Sequence, residues 1–113
     1  MDWRDARISA GVGPGWEPLV DELHAKVLAL KPDIEVVQVK EKFGGLRYYV
    51  ANRSIDETIS ALIHEYEALS FKTCEWCGET EGVETSAGKK RLWLKSLCPT
   101  HREAWDRDER WWS

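Results

Sequence analysis

Cys74 and Cys77, and then Cys98 and His101, form two pairs of potential metal ligands, each pair separated by two residues. Thiolate sulfur and imidazole nitrogen are ligands that zinc prefers, and these four side chains complete a tetrahedron. Gly78, directly after the first pair, lets the backbone turn tightly so that N–H groups point at the sulfurs. Pro99 predicts that Cys98 opens a helix, which puts His101 on the same side of it and within reach of the same ion. A disulfide plus a spare thiol is the alternative, but an odd count of 3 cysteines leaves one sulfur without a role. Four protein ligands leave no open coordination position, so the expectation is one structural zinc rather than a catalytic one.

Catalysis needs more than this. A metal-dependent nuclease built on such a finger would require a general-base histidine and further ligands beside it. Apart from His101 the chain offers only His24 and His64, each on a predicted helix before the finger and each expected on a solvated surface. A glycine-rich phosphate loop, a nucleophile elbow and a Cys-His dyad are all missing from the sequence, and the reading is of a protein that is not an enzyme. Two surfaces compete as binding sites. One is the polar face of a predicted hairpin, with Lys40, Lys42, Arg47 and Tyr49, where cations interleave with an aromatic ring as for phosphates and an unpaired base. The other is Lys89, Lys90 and Arg91, with Lys95 beside them. Each has a plainer explanation, as a solvated sheet face or as neutralisation by Glu79, Glu81 and Glu84.

The elements that position these residues follow from periodicity. Trp16, Leu19, Val20, Leu23, Val27 and Leu30 recur at helical spacing behind a flexible, glycine-rich segment over residues 1–15. Residues 34–43 and 46–51 are β-branched and aromatic runs joined by Gly44-Gly45, which predicts a hairpin with a primed turn. That turn pairs Phe43 with Leu46, Val39 with Val50 and Lys42 with Arg47, so the last two cations need an acidic partner. Ser54 and Glu57 read as a capping box for a second helix, whose stripe of Ile55, Ile59, Leu62, Ile63, Tyr66 and Leu69 can cover the hairpin's apolar face. Residues 74–113 then read as a treble-clef-like zinc finger of knuckle, short hairpin and helix. Trp111 and Trp112 end that helix, and adjacent positions cannot both face one core from a helix, so at least one is expected exposed or at a partner, the alternative being that they pack back onto the domain over the glycine-rich start.

The expected fold is α+β: helix, β-hairpin, helix and C-terminal finger, in a single domain over residues 1–113. Composition agrees with a soluble globular chain, at 42% hydrophobic and 32% charged. The net charge of −4 argues against nucleic-acid binding driven by overall charge, although basic blocks at residues 34–53 and 89–101 alternate with acidic ones. The first residues have neither the basic start nor the apolar stretch of a signal peptide, and no membrane span is visible, which predicts a cytoplasm where thiols stay reduced.

The string Lys40-Glu41-Lys42-Phe43-Gly44-Gly45-Leu46-Arg47-Tyr48, preceded by Gly15-Trp16-Glu17-Pro18-Leu19 and followed by the two ligand pairs, resembles small uncharacterised proteins of bacteriophages and prophage regions. The resemblance runs from Gly15 to His101. It implies a phage-type accessory protein in the bacterial cytoplasm, binding a host protein such as a component of a defence system. Nucleic acid on the basic hairpin face is the second reading.

Overall fold

The structure, a computed structural model, describes residues 2–88 and 93–107. Strand β1 (Ser9–Gly11) leads through a 3-10 turn (Pro14–Trp16) into helix α1 (Glu17–Leu30). Strands β2 (Val36–Lys42) and β3 (Gly45–Val50) form the hairpin, and helix α2 (Glu57–Ser70) follows. Strands β4 (Glu84–Ala87) and β5 (Leu94–Leu97) and helix α3 (Pro99–Asp106) make up the C-terminal part. The fold is α+β, with a sheet in the order β1-β2-β3 and a separate β4-β5 ribbon. No helix of the described residues is long and apolar enough to cross a membrane.

Both long helices lie on one face of the sheet. Trp16, Val20, Leu23 and Val27 from the α1 region and Ile59, Ile63 and Tyr66 from α2 are buried with Val36, Val39, Leu46 and Tyr48 in one core. Their spacing of three and four residues is what makes a single helical stripe. Tyr66 ties the helices together by donating to Glu22 at 2.8 Å. His24, expected at the surface, is instead buried, with Nδ1 2.7 Å from the Tyr48 hydroxyl. Its position beside the apolar stripe places it over the sheet once α2 closes the other side.

The segment expected to be a flexible lead-in is part of the fold. Trp3 is buried and donates from Nε1 to Asp21, which also receives the Arg4 guanidinium at 2.7 Å. The Val39 N–H donates to the Ile8 carbonyl at 3.0 Å, and β1 then runs parallel to β2. The capping box also resolves differently. Asp56 caps α2, accepting from the Ile59 N–H at 2.8 Å, while the Ser54 hydroxyl accepts from the Glu35 N–H.

The hairpin turn sits one residue earlier than Gly44-Gly45 predicts. Its central residues are Phe43 and Gly44, at φ 55° and 82°, the pattern of a type I′ turn. The pairs are Lys42 with Gly45, Glu41 with Leu46, Lys40 with Arg47 and Val39 with Tyr48. Moving the turn by one position displaces each partner by two, so the side chains paired between Gln38 and Tyr49 keep their expected faces, whereas an irregularity between Val36 and Gln38 buries Val36 and leaves Val37, expected on the apolar face, 46% exposed. The faces were therefore predictable although the pairs were not. Tertiary packing explains the shift: Gly45 lies flat under the Phe71 ring, which a Cβ there would strike. At the far edge of β3, α2 satisfies the exposed backbone, since Leu46 donates to Ser70 Oγ at 2.9 Å.

Phe43 is thus a bulky side chain held in the left-handed region and 62% exposed. Such a conformation costs on the order of 1 kcal/mol for a residue other than glycine or asparagine. Phe43→Asn is expected to raise stability by about that amount, read as a higher urea midpoint at unchanged slope. A lower midpoint would show that the phenyl ring contributes to folding.

Candidate metal centre

The turn after α2 and the start of α3 bring the four candidate ligands together. All four donor atoms of Cys74, Cys77, Cys98 and His101 lie within 4.8 Å of one another. Cys77 and Cys98 sulfurs are 3.7 Å apart, and His101 Nδ1 is 3.7 Å from the Cys74 sulfur and 3.3 Å from that of Cys98. Around an ion with metal–sulfur bonds of about 2.3 Å and metal–nitrogen bonds of about 2.0 Å, tetrahedral ligand atoms stand roughly 3.5–3.8 Å apart. The three sulfur and nitrogen separations come close to that geometry, and the whole set, within 4.8 Å, is compatible with one ion. A disulfide needs sulfurs at about 2.05 Å, and all three cysteines are free.

Local backbone structure prepares the sulfurs. The Gly78 N–H donates to the Cys74 carbonyl at 2.9 Å and Cys74 N–H to the Glu79 carbonyl at 2.8 Å, which closes the turn at Gly78, φ 83°. Burial pushes the Cys74 thiol up, but N–H groups of Cys98, Cys77 and Trp76 outweigh it, and its pKa ends below the ordinary thiol value. Cys77 is pushed the other way, by partial burial and by the neighbouring sulfurs. Three thiolates this close require a cation to be stable together. Burial lowers His101 as well, favouring the neutral imidazole that coordinates metal. Cys98 occupies the N-cap of α3, and the Trp76 ring meets His101 edge-on at 6.2 Å. Cys74 and Cys98 are buried, whereas Cys77 is exposed beside a cleft of about 580 Å³ lined by Glu79, Glu81 and His101.

The glycine-rich start of the chain is docked on this turn. Gly15 N–H donates to the Glu75 carbonyl at 2.8 Å, Gly13 N–H to the Glu75 carboxylate at 3.0 Å and Trp16 Nε1 to the Thr73 carbonyl at 2.8 Å. A Cβ on Gly15 would collide with the Cys74 carbonyl and the N–H groups of Cys77 and Gly78. Glycine at position 15 is therefore a requirement of close approach, not of flexibility. Nothing in the sequence links that position to the cysteines sixty residues on, beyond the shared glycine-rich composition of tight contacts.

Lys95, expected with the basic loop, is buried between two carboxylates, 2.7 Å from Glu41 and 3.0 Å from Glu75. It joins the finger to the hairpin instead of facing a partner. Lys40, Lys42, Arg47 and Tyr49 do share the sheet face that the helices leave open. Lys40 Nζ is 5.9 Å from the Tyr49 ring and Lys42 Nζ 5.4 Å from the Phe43 ring. The acidic partner expected for Lys42 and Arg47, inside the protein or outside it, is not found inside: among the described residues Lys40, Lys42 and Arg47 form no ion pair. Arg47 acts at longer range on Glu67, which burial pushes up and the Tyr48 N–H and the Arg47 charge pull back. Lys89, Lys90, Arg91, Trp111 and Trp112 lie outside the described residues.

Comparison with protein families, with curated proteins and with solved structures finds no match for the chain.

Gly15→Ala is expected to destabilise the fold by about 2 kcal/mol through overpacking, and to speed metal loss to a chelator. Gly11→Ala is the control, since its Cβ would meet nothing within 4 Å and only the φ of 93° resists it. Equal chelator kinetics in the two variants would uncouple the glycine-rich turn from the metal centre.

Proposed function

We propose that the chain is a non-catalytic binding protein in which one structural zinc holds a treble-clef-like finger against a sheet platform. Four ligands supplied by the chain support a closed, structural site. The knuckle, the β4-β5 ribbon and a ligand pair at the start of α3 follow the order of a treble clef. A nuclease reading loses one of its two candidate bases, because His24 is buried against Tyr48.

The working surface on this reading is the open sheet face. Its support is a contrast in ion pairing. Arg4, Arg7, Lys26, Arg53, Lys95 and Arg107 each hold a carboxylate, in a chain with more acids than bases. Lys40, Lys42 and Arg47 stand together on one face without one. Lys31, Lys72 and Arg102 are also outside any ion pair among the described residues, but none of them belongs to the sheet, and Arg102 donates instead to the carbonyls of Glu84, Ser86 and Lys95. An acidic protein surface or a phosphate backbone is the complement of such a face. A phage-type accessory protein acting on a host macromolecule in the bacterial cytoplasm, as the resemblance implies, would meet either.

Two measurements test the reading. Elemental analysis of the purified chain should find about one zinc per chain, and Cys98→Ser should lose it and unfold the finger. Folded protein without bound metal would remove the staple. On immobilised heparin the chain should be retained at low salt despite its net charge of −4, and the Lys42→Glu, Arg47→Glu variant should flow through. Flow-through of the unaltered chain would remove the sheet face as a working surface.

A further inference from the structure

We infer that the open sheet face binds single-stranded nucleic acid, with bases stacked on Tyr49 and Phe43 and phosphates on Lys40, Lys42 and Arg47. The inference rests on the preceding reading of this face as the working surface and names the class of its partner. Four observations support it, each from different atoms.

The platform is free on one side and stiff on the other. Helices α1 and α2 pack their apolar stripes on the opposite face, which leaves Tyr49 39% and Phe43 62% exposed. Aromatic rings on a rigid surface are what unpaired bases stack on, whatever their sequence.

The cations are placed beside the rings. Lys40 and Lys42 lie two residues apart on β2, and Arg47 and Tyr49 two apart on β3, so same-face neighbours along each strand are about 6.8 Å apart. Lys40 pairs across the strands with Arg47 and reaches the Tyr49 ring, and Lys42 reaches the Phe43 ring. A nucleotide whose base covers either ring has its phosphate within reach of a lysine.

Arg47 has donors left over. Among the described residues its buried Nε has no hydrogen-bond partner, and no carboxylate lies within ion-pair distance of its guanidinium. With Nε shielded from solvent, a phosphate would be met by the terminal nitrogens of the guanidinium.

The hairpin tip is held in place. Ser96 Oγ donates to the Gly44 carbonyl at 2.6 Å, the Gly44 N–H donates to Glu41 at 3.1 Å, and Gly45 packs under Phe71. The strained Phe43 is therefore presented rather than loosely hinged, and its strain is accounted for if the ring makes contact outside the chain. A duplex would hide its bases from both rings and bring its full charge against the acidic remainder, so the single strand is the favoured form.

Fluorescence anisotropy with labelled thymidine and uridine 20-mers tests this. Three phosphate contacts predict a slope of log affinity against log salt of about −2 for single strands, or a fall of roughly twentyfold between 50 and 200 mM salt. Lys42→Gln should reduce that slope by about 0.7. Tyr49→Ala should weaken binding about tenfold, and Phe43→Asn should do the same while unfolding at a higher urea concentration, which separates contact from fold. Heparin retention without oligonucleotide binding would overturn the inference and leave the anionic-partner reading standing. Binding to the matching duplex as tightly as to the single strand, or equal competition by polyglutamate, would overturn it in favour of a general polyanion or an acidic protein. Failure on heparin and oligonucleotides alike would remove both readings.

Discussion

Glu75, between the first two cysteine ligands, is the point on which the two parts of the molecule meet. Its N–H donates to the Ser96 carbonyl at 2.9 Å, its carbonyl accepts from Gly15, and its two carboxylate oxygens accept from Lys95 and Gly13. All four polar groups of one residue that is 2% exposed are therefore satisfied, by two separate segments. Burial pushes its pKa up, and Lys95 and the Gly13 N–H act against that, while Glu41 adds to it. A buried carboxylate is tolerable only with this degree of pairing, so loss of any one partner leaves a charge stranded in the interior. Such a cluster is a weak source of net stability, but it allows one arrangement of the segments and penalises others.

The consequence is mechanical. A metal held by the four candidate ligands would fix the knuckle, the knuckle carries Glu75, and Glu75 with Lys95 and Glu41 holds the finger against the hairpin. From Glu41 the connection continues to the Gly44 N–H and so to the turn that displays Phe43. Arg102, in the first half of α3, donates to the carbonyls of Glu84, Ser86 and Lys95 and locks the β4-β5 ribbon to the helix that carries His101. A staple at the finger can thereby hold a surface on the hairpin, without the ion touching it. The finger also has its own small core of Cys74, Leu97, Cys98 and Trp105, with Trp76 and Val83 packed against it, a size at which a metal ion would add useful stability.

What the sequence discloses and conceals follows from the range of each interaction. Ligand pairs, the middles of the helical stripes and most of the strand alternation are local patterns that appear in the structure at or near their expected places, while the stripe ends at Leu30, Ile55 and Leu69 and the strand position Val37 are exposed instead of buried. The hairpin faces survived an error in the turn because a displacement of the partner by two residues preserves parity. Contacts between distant segments left no comparable trace. Gly13 and Gly15 carry the composition of a flexible segment, since a glycine chosen for close approach and one chosen for freedom look the same. Lys95 sits among basic residues that suggest a solvated loop, and only the fold reveals the two carboxylates around it. At Ser54 and Asp56 two capping residues compete, and the tie is broken by Glu35, whose N–H takes the serine hydroxyl from outside the helix.

The acidic total and the basic face are compatible because they act over different distances. At physiological ionic strength, charges more than about 8 Å apart are largely screened, so a partner arriving from solution meets mild repulsion from the whole and attraction only at the sheet. Such a surface selects for complementarity at short range. A uniform polyanion engages the three cations alone, whereas a partner that also places flat or apolar groups on Tyr49 and Phe43 gains at both. The strain at Phe43 points the same way. An exposed phenyl ring in the left-handed region contributes nothing visible to the core and lies at the one tip where cations, an open sheet and the finger's rigidity converge. Stability alone would favour asparagine or glycine there, so at Phe43 the demands of the fold and of the proposed surface run in opposite directions.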